Sequence, residues 1–286
     1  MSNIAVKRLS DALGCEIAGL RISPSLSEPE FKAVEDALHE HLVVIVRGQE
    51  LSPHDFVAFA KRFGRPEPHV IDQFHHQADA NILILSNRKN ERGEPLGLAD
   101  GGTYFHSDYS YLPVPARCTL LYGIETPGED AGTTFANQRR AYEELPDAQK
   151  NRIAGLVCRH RYGNRDNLDE QSRTAASKLT QDQKDKMTWV RHPLVRKHPH
   201  TGRKALYAVS GSSFGIEGMD DRVGVSLLDS LKHHATAARY CHTPAYRPGD
   251  IVIWDNCSLL HAAPLIDPNR PRTLWRITVK EQRPTL

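Results

Sequence analysis

The sequence predicts a mainly β chain with peripheral helices (α+β), folded as an antiparallel sandwich or barrel. Short apolar runs such as Ile82-Leu83-Ile84-Leu85, Thr119-Leu120-Leu121-Tyr122 and Ile251-Val252-Ile253-Trp254 are each bounded by Gly, Pro, Asn or Asp. Helical spacing is confined to a few segments. No repeat, low-complexity tract or linker divides the 286 residues, which suffice to bury a core without metal or disulfide staples.

Taken in order, residues 6–22 alternate short apolar runs with Gly14 and Gly19, which suits two short strands joined by turns. Ser27 then offers an N-cap and Glu30 completes a capping box. Phe31, Val34, Leu38 and Leu42 follow on one helical face that should pack on a sheet. Residues 42–46 form a continuous apolar run, read as a buried strand. Ser52-Pro53 opens a second helix carrying Phe56, Phe59 and Phe63, with Gly64 as its stop. Residues 141–156 look helical. Residues 164–190 are polar and rich in Asp, Lys and Gln, which leaves a solvated helical insertion and a lid over a site as alternatives. The chain is therefore expected to be one domain, 1–286, with a helical or lid-like insertion at about 141–190.

Composition excludes several classes. A formal net charge of +2 gives no reason to expect a nucleic-acid partner. No apolar stretch approaches the roughly 18 residues of a membrane span, and the N-terminus lacks the apolar centre of a signal peptide, so a cytoplasmic protein is expected. Cys15, Cys118, Cys158, Cys241 and Cys257 are odd in number, scattered and without a CxxC pair. They suggest neither a disulfide framework nor a thiolate zinc site.

Fifteen histidines are many, so spacing has to single out the ones that matter. His106 and Asp108 stand two apart. On a strand they would share a face and could hold one metal ion together, although a turn or edge-strand pair would look the same. Further on, Gly249-Asp250 turns into the run 251–254, and His261 follows at the end of a second strand. Two imidazoles and a carboxylate would form a facial triad that leaves one side of an octahedral Fe(II) open, as oxygen activation requires. Arg272 and Arg276, four apart, would look inward together if Leu274 also does. Inward guanidinium groups need an anion, and a dicarboxylate that also chelates the metal meets that need.

With these residues in place, the chain resembles the taurine dioxygenase and dichlorophenoxyacetate dioxygenase (TauD/TfdA) family of Fe(II)/2-oxoglutarate enzymes over residues 9–284. The resemblance is carried by Phe105-His106-Ser107-Asp108, Ala131-Gly132-Thr133-Thr134-Phe135-Ala136-Asn137, His192-Pro193-Leu194-Val195 and the run 198–207. Pro248-Gly249-Asp250, Trp254-Asp255-Asn256, His261, Arg272 and Arg276 complete it in the right order. It implies a double-stranded β-helix, that is, a cupin-like jelly-roll barrel. It further implies that His106, Asp108 and His261 ligate iron, that Thr134 and Arg272 bind the distal carboxylate of 2-oxoglutarate, and that Arg276 lies near the metal-bound end of that cosubstrate and near an acidic substrate group. His69 falls where the family places a histidine against the substrate. Each has a plainer alternative: Thr134 as a strand residue, Arg276 as a structural ion pair, His69 as a surface histidine. Tyr104, Tyr109 and Tyr111 stand close enough to the first ligands to line a substrate site, or are ordinary strand aromatics.

The implied reaction consumes O2 and 2-oxoglutarate, hydroxylates a small organic acid such as a carboxylate or sulfonate, and releases succinate and CO2. Hydroxylation beside a heteroatom would break a C–O, C–S or C–N bond. The family also implies a homo-oligomer, a dimer or tetramer. Counting puts Asp72 and Gly102 where the taurine enzyme holds its substrate amine, which argues against taurine itself. Asp108 argues against the halogenating relatives, which have a small residue there. The rival expectation is a jelly roll that only binds a ligand, or that binds zinc; no motif supplies the general base a zinc hydrolase would need.

Overall fold

The protein is described by a computed structural model over residues 4–99, 101–128, 132–163, 180, 182, 185 and 188–282. In chain order its strands are β1 Ala5–Arg8, β2 Cys15–Ala18, β3 Val43–Val46, β4 His75–His76, β5 Asp79–Ser86, β6 Ala116–Glu125, β7 Thr134–Asn137 and β8 Val157–His160. They continue as β9 Val190–Pro193, β10 Val195–Lys197, β11 Lys204–Leu206, β12 Ser213–Ile216, β13 Cys241–His242, β14 Ile251–Asp255, β15 Leu259–Ala262 and β16 Thr273–Lys280. Eight of them form one sheet in the order β1-β2-β3-β14-β6-β16-β5-β4, antiparallel except for the β2–β3 pair. Smaller sheets, β13-β7-β15, β12-β8-β9 and β10-β11, supply the second layer.

Alternation along the central strands decides what each face touches. On one face Leu120, Tyr122, Ile251, Ile253, Ile277 and Val279 share a core with Phe31 and Val34 of helix α1 (Glu28–His41) and Phe56 and Ala60 of helix α2 (Pro53–Lys61). On the other face Leu121, Val252, Trp254 and Leu274 pack against Phe135 of β7 and Leu259 of β15. Ala136 and Leu260, one residue along those strands, turn away and bury Leu227, Leu228 and Leu231 of the helix Asp221–Ala235. Four layers result, with helices outside and two β layers within. This is the mainly β jelly roll expected, although the described strands make separate facing sheets and not one continuous barrel.

Local chemistry explains the helix ends. Ser27 and Glu30 form the capping box reciprocally, and Leu42 closes α1 in a left-handed conformation (φ 67°) before β3 begins. Ser52 caps α2, with Pro53 in its first turn. The segment 141–156 is not one helix. It divides into Gln138–Glu143 and Asp147–Ile153 because Pro146 cannot donate to the preceding turn, and its end belongs to the approach to β8. The stretch 164–190, expected as a lid or insertion, lies almost wholly outside the described residues. No helix among the described residues is long and apolar enough to cross a membrane. The five cysteines are free, and all but Cys241 are buried.

Candidate active site

The tight turn from β14 to β15 fixes the position of His261. Its backbone pairs with that of His106 in both directions, N–H to O at 2.9 Å each way, so the loop that carries His106 lies alongside β15. His106 is thus an isolated bridge residue and Asp108 sits in a turn, where Tyr109 has φ 54°. The two-apart strand geometry expected for His106 and Asp108 does not apply. The turn brings them together instead.

His106 Nε2 lies 3.6 Å from Asp108 Oδ1, and His261 Nε2 lies 3.6 Å from Asp108 Oδ2. The three candidate ligand atoms all fall within 4.8 Å of one another. His106 Nδ1 is 2.8 Å from the carbonyl of Tyr104, which can only accept. A neutral ring therefore carries its proton on Nδ1 and presents the Nε2 lone pair to the other two residues. The His261 ring is held by packing, with centroids 4.7 Å from Trp254 and 4.2 Å from His106. Burial, reinforced by His106, holds its pKa well below the usual imidazole value, so it is neutral.

Asp108 is buried, which alone would raise its pKa, but Arg276 and the neighbouring histidines outweigh this and hold it well below the carboxylate range. Its Oδ1 accepts from Arg276 Nη2 and its Oδ2 from Thr119 Oγ1, both at 2.6 Å. Arg276 points inward from β16, on the same face as the buried Leu274 and as Arg272, which immediately precedes the strand. Both arginines line one cleft with His106, Asp108 and His261.

The remaining predicted residues divide. His69, Tyr104 and Tyr109 line the cleft. His69 Nδ1 accepts from the Ile71 N–H at 3.1 Å, and burial together with Arg276 pushes its pKa down to about 3, so it faces the cleft as a neutral ring. Tyr109 donates its hydroxyl to the Glu67 carbonyl at 3.0 Å, which anchors the segment leading to His69. Thr134 is corrected. Its hydroxyl meets Thr243 Oγ1 at 2.7 Å, away from the cleft, while Thr133, on the side that Phe135 shares, lines it. Asp72 is exposed in a short turn and is not among the residues that line the cleft, whereas Gly102 is.

Tyr111 lines the cleft too, and its ring meets that of Tyr162 edge to face at 4.7 Å. Sequence reasoning missed Thr133, Tyr162 and the Asp108 partner Thr119. Alternation with the inward Leu121 was a usable signal for Thr119 only. A second buried group, His198, Asp255 and Cys257, also has metal-like spacing. There His198 Nδ1 accepts from the N–H groups of His200 and Thr201, leaving the ring proton on Nε2, 3.1 Å from Asp255 Oδ2. That is a buried histidine–aspartate pair, in which the His198 ring has no lone pair to offer an ion.

The taurine catabolism dioxygenase TauD, TfdA family matches residues 5–278, nearly the whole chain. The chain belongs to this family. Among its relatives is pentalenolactone F synthase of Streptomyces arenae, 29% identical over 273 residues, covering 93% of this chain and 91% of the relative. The alpha-ketoglutarate-dependent 2,4-dichlorophenoxyacetate dioxygenase of Burkholderia sp. (strain RASC) is 28% identical over 277 residues, covering 94% and 91%. Of solved TauD/TfdA-type structures, AAD-2 in complex with Mn(II) and N-oxalylglycine superposes with a TM-score of 0.80 at 29% identity, covering 99% of this chain and all of that one. A putative alpha-ketoglutarate-dependent taurine dioxygenase from Burkholderia xenovorans gives 0.81 at 27% identity, covering 98% and 93%. The span matched by the TauD/TfdA family includes all three candidate metal ligands and both inward arginines.

Proposed function

We propose that this chain is an Fe(II)- and 2-oxoglutarate-dependent dioxygenase that hydroxylates a small anionic organic substrate. The observation that carries the reading is the convergence of His106, Asp108 and His261 at a cleft that also holds Arg272 and Arg276. The donor set fits ferrous iron: two imidazole nitrogens and one carboxylate, with no thiolate among them. When bound, the iron and the keto acid supply the oxidation, in which one atom of O2 enters the substrate C–H bond and the other enters succinate as CO2 leaves.

The protein's part is to hold and orient. His106, Asp108 and His261 would hold the metal, and Asp108 brings the single negative charge that offsets it. Arg272 offers a fork to the distal carboxylate of 2-oxoglutarate, and Thr133, in place of Thr134, offers it a hydroxyl. Arg276 and neutral His69 would meet the substrate anion, while Leu85, Leu98, Tyr104, Tyr111 and Tyr162 form a wall that excludes water from its apolar body. If the carbon attacked bears oxygen, sulfur or nitrogen, the hydroxylated product breaks apart. The same reading takes the chain as one catalytic domain working in the cytoplasm as a dimer or tetramer, which sedimentation velocity tests.

The deciding experiment measures succinate formed with Fe(II), 2-oxoglutarate and a panel of small carboxylates and sulfonates. Iron- and keto-acid-dependent succinate release stimulated by one of the acids is the expected result. Turnover that runs on zinc and ignores the keto acid would overturn the reading.

A further inference from the structure

Asn256 and Thr119 are both fully buried, and neither lines the cleft. Asn256 Oδ1 accepts from Trp254 Nε1 at 3.1 Å and from the Asp108 N–H at 3.2 Å. Both partners can only donate, so the amide orientation is settled: oxygen toward them, nitrogen away. Asn256 Nδ2 then donates to Thr119 Oγ1 at 2.9 Å. Because that hydroxyl oxygen is already accepting, its own proton is free to go to a further acceptor. Asp108 Oδ2 lies at 2.6 Å and Thr278 Oγ1 at 3.4 Å, so the proton goes to the carboxylate. The Asn256 carbonyl also accepts from Ser107 Oγ at 2.8 Å, which ties down the residue before Asp108.

Resting on the metal-centre reading above, we propose that Thr119 and Asn256 are positioning residues that set the direction of the Asp108 carboxylate toward His106 and His261. The relay is directional. Indole N–H fixes the amide, the amide fixes the hydroxyl, and the hydroxyl holds one carboxylate oxygen. Asp108 is the one candidate ligand on a turn without strand pairing of its own, so its side chain depends on such contacts more than the two histidines do. Thr119 reaches it from β6, in the larger sheet, and Asn256 from the turn that leads into β15. Partners of this kind around a metal ligand are worth about 10- to 100-fold in metal affinity when removed.

The test compares Thr119→Val, which keeps shape and removes the hydroxyl, with Thr119→Ser, which keeps the hydroxyl. Metal-free protein is titrated with Co(II), following its visible bands, and its thermal unfolding is recorded separately. Thr119→Val is expected to unfold near the wild-type temperature yet bind Co(II) about 10- to 100-fold more weakly with altered bands, while Thr119→Ser stays within about threefold. Folded Thr119→Val that binds within threefold of wild type overturns the proposal, as does Thr119→Ser as weak as the valine variant. Should valine prevent folding, Thr119→Ala against Thr119→Ser makes the same comparison, and loss of folding in alanine as well counts against a positioning role. Wild-type protein that binds no Co(II) would instead overturn the metal-centre reading itself, a failure visible without any variant.

Discussion

Replacing Gly102 with alanine tests how closely the site depends on one imidazole. Gly102 has φ +72°, and a Cβ there would lie 2.2 Å from His106 Cε1 and 2.8 Å from Nε2. Carbon atoms rest about 3.5–4.0 Å apart, so the ring would have to retreat by more than about 1 Å. It has little room to do so. Its Nδ1 is held at 2.8 Å by the Tyr104 carbonyl, its backbone is paired to His261, and the His261 ring centroid is 4.2 Å away. The left-handed backbone costs alanine roughly 1–2 kcal/mol, a modest loss of global stability. Metal–ligand distances tolerate only about 0.2 Å. A misplacement of about 1 Å is therefore expected to weaken Co(II) or Fe(II) binding about 100-fold, by analogy with its effect on rates, which is about 3 kcal/mol. Calorimetric titration reads the affinity and thermal unfolding the stability. Gly101→Ala is the control, since its Cβ would meet only side-chain atoms of two leucines, Leu98 Cδ2 at 3.3 Å and Leu85 Cδ2 at 3.7 Å. Wild-type affinity in Gly102→Ala, or equal losses in both variants, would refute the reasoning.

Thr133→Val should raise the KM for 2-oxoglutarate about tenfold, the value of one hydrogen bond to a charged group, while Thr134→Val leaves it within about twofold; the reverse order in steady-state kinetics would reject the assignment to Thr133. Arg272→Lys keeps the charge but loses the fork, so the same KM should rise about tenfold or more and kcat should recover at saturating cosubstrate. An unchanged KM would remove Arg272 from the carboxylate site. Acid should destabilise the fold through its buried histidines. Burial, with His192 adding to it, pushes the pKa of the fully buried His160 from 6.5 down to about 3. The unfolded chain takes up a proton there before the folded one does, so stability is complete above about pH 6.5 and falls progressively toward pH 3. For this ring alone the loss is roughly 2 kcal/mol at pH 5, measurable as a shift in urea midpoint from pH 7.5 to 5 that shrinks in His160→Asn. A midpoint independent of pH would contradict a neutral buried ring.

What the sequence made legible, and what it did not, follows from the range of the forces involved. Runs such as 251–254 announce a strand because β14 is buried on both faces, by Ile251 and Ile253 against the helices and by Val252 and Trp254 against the second layer. Helix ends were visible for the same local reason: Ser27, Glu30 and Ser52 cap through bonds to neighbours three residues away. Pro146 carried an equally local signal for the break in 141–156. The choice between Thr133 and Thr134 did not, because two adjacent threonines are alike until a strand phase is set, and that phase comes from the pairing of Phe135 with His261. His106 and Asp108 were found by residue type, yet the turn that joins them depends on a left-handed Tyr109 that no glycine or asparagine marks.

The two β layers divide the labour at the site, and this explains where it is vulnerable. His261 belongs to β15, and His106 is paired to it, so both imidazoles move with the smaller layer. Arg276 and Thr119 belong to β16 and β6 of the larger sheet, and both hold Asp108. Asp108 is therefore the tie across the layers: its position follows one sheet, while the atoms it must meet follow the other. Between the layers Phe135 packs against Trp254, with ring centroids 5.5 Å apart, and Trp254 in turn packs on the His261 ring. Close packing makes such spacing sensitive to the loss of a single methylene. Changes in that core are accordingly felt in the three-residue geometry, and in metal binding, before they are felt in whether the chain folds.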